Sequence, residues 1–587
     1  MTSASLLRLS FFALLGTGMT AAQRQPRTQT PPQSKPHPAT PYLITGTVVS
    51  SVNEGSVPHC RMTVAPVVRG NLSSRQFPAD LEAVDCDEHG HFSIQLPSAG
   101  SWRLSASARG FITQAYDEHQ FFSSAIVLTA AKPTLDLQFH ISPESSITGI
   151  VVDEAGEPVR KAQVSLQVVP DLSPGGARPP GRMRSTTQTD DRGMYELVKV
   201  SPGAYRITVQ AQPWYAAYQP RSQSSSNVAP LDPSLDFVYP MTWFPGVDDP
   251  ALAETITLLA GDTRQADLHL TPVPSVHLHI LPTLGYGNAR GGRDVPSFPT
   301  VQQIVPGSVG QNALPVSIQT DPQGQVDIGG LAPGTYNVKL SGSNQQSASS
   351  IVEVTAGSVR TLDLASASTE AKVTLHFDSS SGTDPESGRI EVNLIDTDTG
   401  LGSFSSNGIG GGPGNFGRRV RRDRPADSGA DRTMEVPPGR YEVVLQGKPD
   451  VYLTGITAKG AEAAGRYVTV PAGASTLTLR IASGRATLTG IATLHNKPSV
   501  GALALLVPTT IDDPNSLRTL LRDQTNTDGS FDLADVIPGQ YILVVIDHGW
   551  EVNWNDPSTL RGFLTQGVAV DLAPGANAKQ NVNAQSP

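Results

Sequence analysis

The stretch DDRGMYELVKVSPGAYRITVQA, Asp190 to Ala211, decides the fold. An acidic turn ends at Gly193, a short apolar strand follows, and Pro202-Gly203 makes a second turn. Beyond it Tyr205, Ile207, Val209 and Ala211 share one face, while Arg206, Thr208 and Gln210 share the other. That period of two is the pattern of a strand with one buried and one wet face.

The same landmark recurs along the chain. Pro333-Gly334-Thr335-Tyr336, Pro438-Gly439-Arg440-Tyr441 and Pro538-Gly539-Gln540-Tyr541 each open an alternating strand, and Gly100-Ser101-Trp102 is a worn copy. The glycines at 100, 203, 334, 439 and 539 are separated by 103, 131, 105 and 100 residues. Two more landmarks keep step. Upstream lies a polar turn with glycine: Asp87 to Gly90, Asp190 to Gly193, Asp321 to Gly324 and Asn526 to Gly529, with a copy near Ala430 to Arg432 that has lost its glycine. Asp and Asn accept a backbone bond in such turns, and Gly supplies the positive φ. Downstream, small-residue turns at Ala130-Ala131, Ala260-Gly261, Ala356-Gly357, Ala472-Gly473 and Pro574-Gly575 precede a final strand.

About seven short strands per repeat, with turns between them and no convincing helix, predict a β-sandwich. The fold class expected is all-β: a tandem array of about five Ig-like or prealbumin-like sandwiches, 42–142, 143–273, 274–367, 368–484 and 485–587. The tyrosine after each Pro-Gly turn is read as structural, its ring in the core and its hydroxyl seeking a partner, as in a tyrosine corner. Short joints such as Thr271 to Pro274 predict a chain of beads with limited flexing at each joint.

ITGIVVDEAGEPVRKAQVSL (Ile147 to Leu166), with Asp191-Arg192-Gly193-Met194-Tyr195 and Pro202-Gly203-Ala204-Tyr205, resembles the carboxypeptidase regulatory-like domain. It is similar also to collagen-adhesin B-type repeats and starch-binding-like modules. The resemblance is good over the second and fifth repeats, partial over the first, and limited to the later strands of the third and fourth. It implies a transthyretin-like sandwich of a kind strung in arrays in secreted bacterial proteins, without an active site of its own.

Composition agrees with strands and turns. The 587 residues include 55 Gly and 48 Pro, both poor in helix interiors. The net charge of −10 argues against a nucleic-acid partner. Residues 1–22, with Arg8 before an apolar run from Leu9 to Met19, read as a cleaved signal peptide, and 23–41 as a Pro-rich tether. No cysteine sits near the cleavage point, so a lipid anchor is not expected, and no later run is long and apolar enough for a transmembrane helix. The predicted location is secreted or periplasmic. In an oxidising compartment the two cysteines, Cys60 and Cys86, are expected to pair.

No His-Glu-x-x-His, no Gly-x-Ser-x-Gly elbow and no phosphate-binding loop occurs, so no catalytic residue, cofactor or metal is expected. His277 and His279, two apart on a strand with His269 nearby, have ligand chemistry but are read as solvent-facing. Asp396 to Gly400 is read as an ordinary turn, since the glutamate a calcium loop needs is missing. Lys161 stands where an internal isopeptide bond could form, but no Asn and Glu partners are recognisable.

Two features invite a ligand. NGIGGGPGNFGRRVRRDR, Asn407 to Arg424, carries Arg418, Arg419, Arg421, Arg422 and Arg424 beside a Gly-rich run; it reads as a loop, with anion binding as its functional alternative. The second repeat places Trp214, Tyr215, Tyr218, Phe237, Tyr239, Trp243 and Phe244 within 31 residues, and the fifth adds Trp550, Trp554 and Phe563. Exposed rings of this kind are platforms for sugar rings; the structural alternative is a second small core. The sequence thus predicts a secreted, non-catalytic binding or scaffold protein for a polysaccharide or envelope component. A purely structural stalk or adhesin, and an accessory chain docking a separate peptidase or glycosidase, are the alternatives. An outer-membrane receptor is not expected, because no series of barrel strands precedes the final QNVNAQSP.

Overall fold

The computed structural model describes residues 42–67, 83–120, 122–169, 183–216, 232–281, 287–289, 294–296, 299–304, 317–320, 325–341, 347–355, 359–362, 371–379, 390–397, 402–404, 432–447, 450–554 and 556–587. It is an all-β array of sandwiches. One pairing scheme recurs. The first strand of a repeat pairs antiparallel with the strand before the Pro-Gly turn, and parallel with the last strand of the same repeat. Thus Tyr42–Ser50 lies between His91–Leu96 and Thr134–Ile141, and Ala371–Ser379 lies between Arg432–Val436 and Ala474–Ser483. Ser145–Val152, Val276–Ile280 and Ala486–Leu494 repeat the arrangement. The strand after the Pro-Gly turn belongs to the facing sheet, as Gly203–Gln210 pairs with Gln163–Val168. Between the sheets lie separate apolar clusters, such as Ile147, Val164, Leu166, Tyr205 and Ile207 in the second repeat.

The turn chemistry follows from the residues. Asp190 accepts the backbone N–H of Arg192 at 2.9 Å and of Met194 at 2.8 Å, and Gly193 takes a φ of +71°. Asp87 does the same for His89 and His91, both at 2.8 Å. After the Pro-Gly turn the buried tyrosine donates its hydroxyl to the carbonyl four residues upstream. Tyr205 reaches Ser201 at 2.8 Å, Tyr336 reaches Ala332 at 2.6 Å and Tyr541 reaches Ile537 at 2.5 Å; Tyr441 bonds Pro437 in the same way. The ring is thereby buried with its polar end satisfied. Cys60 and Cys86 form a disulfide, with Cα atoms 5.0 Å apart.

Parallel closure imposes its own demand on the first strand. A Cβ on Gly149 would lie 2.1 Å from the carbonyl oxygen of Ala266 and 2.8 Å from the Tyr195 ring. Tyr195 donates its hydroxyl to that same carbonyl, at 2.5 Å. Gly46 and Gly490 meet Leu137 and Gln580 in the same fashion, which explains the shared Thr-Gly of ITG and LTG in these repeats.

The fold departs from the sequence reading in two places. A helix, Pro557–Leu564, lies between the Gly539–Ile546 and Val568–Leu572 strands of the fifth repeat, where none was expected. Asp556 caps it by accepting the Thr559 N–H at 2.9 Å, and Pro557 sits in its first turn. With Leu560, Phe563 and Leu564 it covers the outer face of the sheet around Leu503, Leu505, Val544 and Ile546. This accounts for the unbroken apolar run Leu503–Pro508, buried on both faces.

The second departure concerns the chain of beads: the first repeat docks directly on the fifth. Ala125 donates its N–H to Asn526 Oδ1 at 2.8 Å and accepts the N–H of Thr527 at 3.0 Å. Val127 donates to Thr527 Oγ1 at 2.9 Å, and Ser124 donates its hydroxyl to the Thr525 carbonyl at 2.9 Å. Gln524, buried at the centre, donates to Ser124 Oγ at 2.9 Å and to the Asp117 carbonyl. Adjoining repeats are also tied: Phe237–Val238 pairs with Val273–Pro274, and Arg485 donates to the carbonyls of Val451 and Asp535.

Gly149→Ala is expected to destabilise the second repeat by about 2–4 kcal/mol, since the new methyl can be housed only by parting the first and last strands. Chemical denaturation followed by Tyr and Trp fluorescence measures it. An unchanged unfolding midpoint would show that the parallel pair has room to spare.

Candidate functional site

The aromatic residues of the second repeat separate into two groups. Trp243 is 1% exposed and Tyr239 is 5% exposed, and Phe244 packs against the core of the same repeat. Trp243 pairs through its backbone with Thr208 on the Pro-Gly strand, which draws its ring inside. Trp554, 2% exposed, belongs to the apolar cluster under the helix of the fifth repeat. Trp243, Tyr239 and Trp554 are packed and present no open face, and Phe244 is half-buried against the core, so as a sugar platform these rings are corrected to core. Trp550 is covered differently. Its ring stacks on His119 of the first repeat, with centroids 5.7 Å apart and planes 8° apart, and Phe122 lies 5.5 Å away. Arg522 lies over both Phe122 and Trp554. Trp550 is therefore an anchor between repeats. The sequence offered no sign of this, because its partners stand some four hundred residues away.

Trp214 is the exception, with 80% of its surface exposed. It follows the Gly203–Gln210 strand through Pro213, where the chain leaves the sheet. Tyr215 stands edge-on to it, with centroids 5.6 Å apart and an interplanar angle of 87°. Tyr215 donates its hydroxyl to Glu154 Oε1 at 2.5 Å, and Tyr239 donates to Oε2 at 2.9 Å. Glu154 projects from the Asp153 to Gly156 turn, which Asp153 fixes by accepting the N–H groups of Ala155 and Glu157. Partial burial would raise the Glu154 carboxyl, but the two tyrosine hydroxyls hold it below its ordinary value. Burial, and then the carboxylate beside it, push the Tyr215 hydroxyl up to about 12. At neutral pH the cluster is thus one carboxylate bonded by two neutral phenols, with a tryptophan face beside it. Glu154 carries the arrangement, and the sequence reading did not single it out.

A second cluster lies where the second repeat meets the third. His277 and His279 share a face of the Val276–Ile280 strand, and Asp327 stands directly across the ladder from His279. His277 Nδ1 lies 3.3 Å from Asp327 Oδ1, and its Nε2 lies 2.8 Å from Asp236 of the second repeat. The bond to Asp327 raises the His277 pKa against the effect of burial, and with Asp236 it reaches about 9. His269 is not part of this group. One ligand atom each from His277, His279 and Asp327 lie within 4.8 Å of one another.

Lys161 is exposed in a tight turn with a φ of +56°. Asp396 and Thr397 are described, but the rest of that turn is not; Tyr218 and the arginines 418, 419, 421, 422 and 424 lie outside the described residues. Among the described residues no helix is long and apolar enough to cross a membrane.

Residues 146–271 match the model of the carboxypeptidase regulatory-like domain family. The match spans the second repeat, including Glu154, Trp214 and Tyr215. No curated protein sequence matches the chain. Among solved structures it is similar to the Bacillus anthracis TIE protein, at 11% identity and a TM-score of 0.15, covering 94% of this chain and 76% of that one. It is similar also to GBS52, the minor pilin of Streptococcus agalactiae, at 10% identity and a TM-score of 0.21, covering 40% of this chain and 97% of that one. The shaft pilin SpaA of Lactobacillus rhamnosus GG is 9% identical with a TM-score of 0.18, covering 40% of this chain and 98% of that one.

The two groups of aromatics predict opposite responses to truncation. Trp243→Ala should cost about 3–5 kcal/mol, through lost burial and a cavity. Trp214→Ala should change stability by no more than about 0.5 kcal/mol, as surface substitutions do. Equal effects in denaturant titrations would contradict the division.

Proposed function

We propose that the protein is an extracytoplasmic, non-catalytic scaffold whose binding surface is the Trp214–Tyr215 platform of the second repeat, with a polysaccharide as its ligand. The observation that carries this reading is Trp214 itself. A ring that exposes most of its surface, beside a second ring held in place by a carboxylate, suits a sugar: the apolar C–H face packs on the indole, and polar groups at the rim take hydrogen bonds. Glu154 accepts through two oxygens with further lone-pair capacity, so it can bond a sugar hydroxyl without giving up Tyr215. The regulatory-like module and the Cys60–Cys86 disulfide fit an accessory domain of the oxidising exterior. In this reading the remaining sandwiches set the reach and position of the platform.

The test is retention of residues 23–587 on a panel of insoluble polysaccharides, with Trp214→Ala and Trp550→Ala variants run beside it. Specific retention, lost in Trp214→Ala and kept in Trp550→Ala, is the expected result. If nothing is retained, or if Trp214→Ala is retained like the parent, the platform is not a sugar site and a purely structural array is the better account.

A further inference from the structure

We propose that His277, His279 and Asp327 form a binding site for a zinc-class divalent ion at the joint between the second and third repeats. The donor set is two imidazole nitrogens and one carboxylate oxygen, which suits zinc and its borderline neighbours rather than calcium or magnesium. The spacing suits it too. In a tetrahedral site with bonds of about 2.0–2.1 Å, ligand atoms stand roughly 3.3 Å from one another. Asp327 Oδ1 lies 3.3 Å from His277 Nδ1 and 3.6 Å from His279 Nε2. The third pair, His277 and His279, lies within 4.8 Å, so an ion seated among the three atoms needs the two imidazoles to draw together.

The backbone holds this geometry. His277 and His279 alternate with the buried Val276, Leu278 and Ile280, so both imidazoles leave the same face of the strand. Asp327 is fixed opposite His279 by the ladder register. All three side chains are partly exposed, which leaves an entry path and room for water as a fourth ligand.

The outer partners point the same way. A metal-bound imidazole donates the N–H of its other nitrogen to a carboxylate or an amide oxygen, which fixes tautomer and ring. With Nδ1 of His277 on the ion, its Nε2–H donates to Asp236, 2.8 Å away. With Nε2 of His279 on the ion, its Nδ1 faces the side-chain amide of Gln325 at 2.7 Å, whose oxygen can turn to accept. Asp236 belongs to the second repeat and the three ligands to the third. Binding therefore couples the ion to the joint, and the site does not depend on the sugar platform.

Titration calorimetry of residues 23–587 with zinc chloride in a non-chelating buffer is the test. One ion per chain is expected. Binding should be lost in His279→Gln and in Asp327→Asn, kept in His269→Gln, and weakened about 10–100-fold in Asp236→Asn. Far-ultraviolet circular dichroism of each variant separates loss of the site from loss of the fold, since the partly exposed imidazole of His279 points away from the core side of its strand and can be replaced without opening the core. No zinc binding by the folded parent, or binding unchanged in His279→Gln, would overturn the proposal.

Discussion

Each repeat is closed by its last strand, which returns to lie parallel beside its first. Antiparallel closure would bring the chain's entry and exit to the same end of a sandwich. Parallel closure sends them to opposite ends, so the next repeat starts where the last one finishes. The array follows from this one constraint. So do the local choices that look arbitrary in isolation. Gly46, Gly149 and Gly490 are required where the returning carbonyl presses on the first strand. The buried tyrosines lock the turn that carries the chain from one sheet to the other.

On that frame, loops are free to differ, and they do. The Asp87 and Asp190 side chains are spent on their own turns. The matching residue of the fifth repeat, Asn526, turns its side-chain oxygen outward to Ala125. Trp550 in turn gives up its ring to His119 and Phe122. The same landmark that builds a hairpin in two repeats thus serves as a docking point in a third. The contact is largely polar, with a buried glutamine at its centre, and such a contact specifies orientation because each unmet bond would cost desolvation.

What the sequence disclosed and what it withheld divide along one line. The alternation in Gly203–Gln210 and the Pro-Gly-x-Tyr turns are local, and they were legible. The helix at Pro557–Leu564 had a readable start in Asp556-Pro557 but a short, weakly patterned body. Burial of Trp243 and Trp554 was not legible, because an aromatic in a long connection has the same spelling whether it packs or projects. Nor was the pairing of His279 with Asp327, since ladder register between strands nearly fifty residues apart leaves no trace in spacing. The contact between Ala125 and Thr527 is farther still from anything periodicity can report.

The first and fifth repeats are docked through that contact. Hydrogen–deuterium exchange of the intact chain, read by mass spectrometry on peptides spanning 117–128 and 522–530, tests it most directly. The amides of Ala125, Val127 and Thr527 donate across the contact. The account predicts protection in both peptides that falls together in Asn526→Ala. Exchange at the rate of an open loop in the intact protein would contradict it and return the array to separate beads.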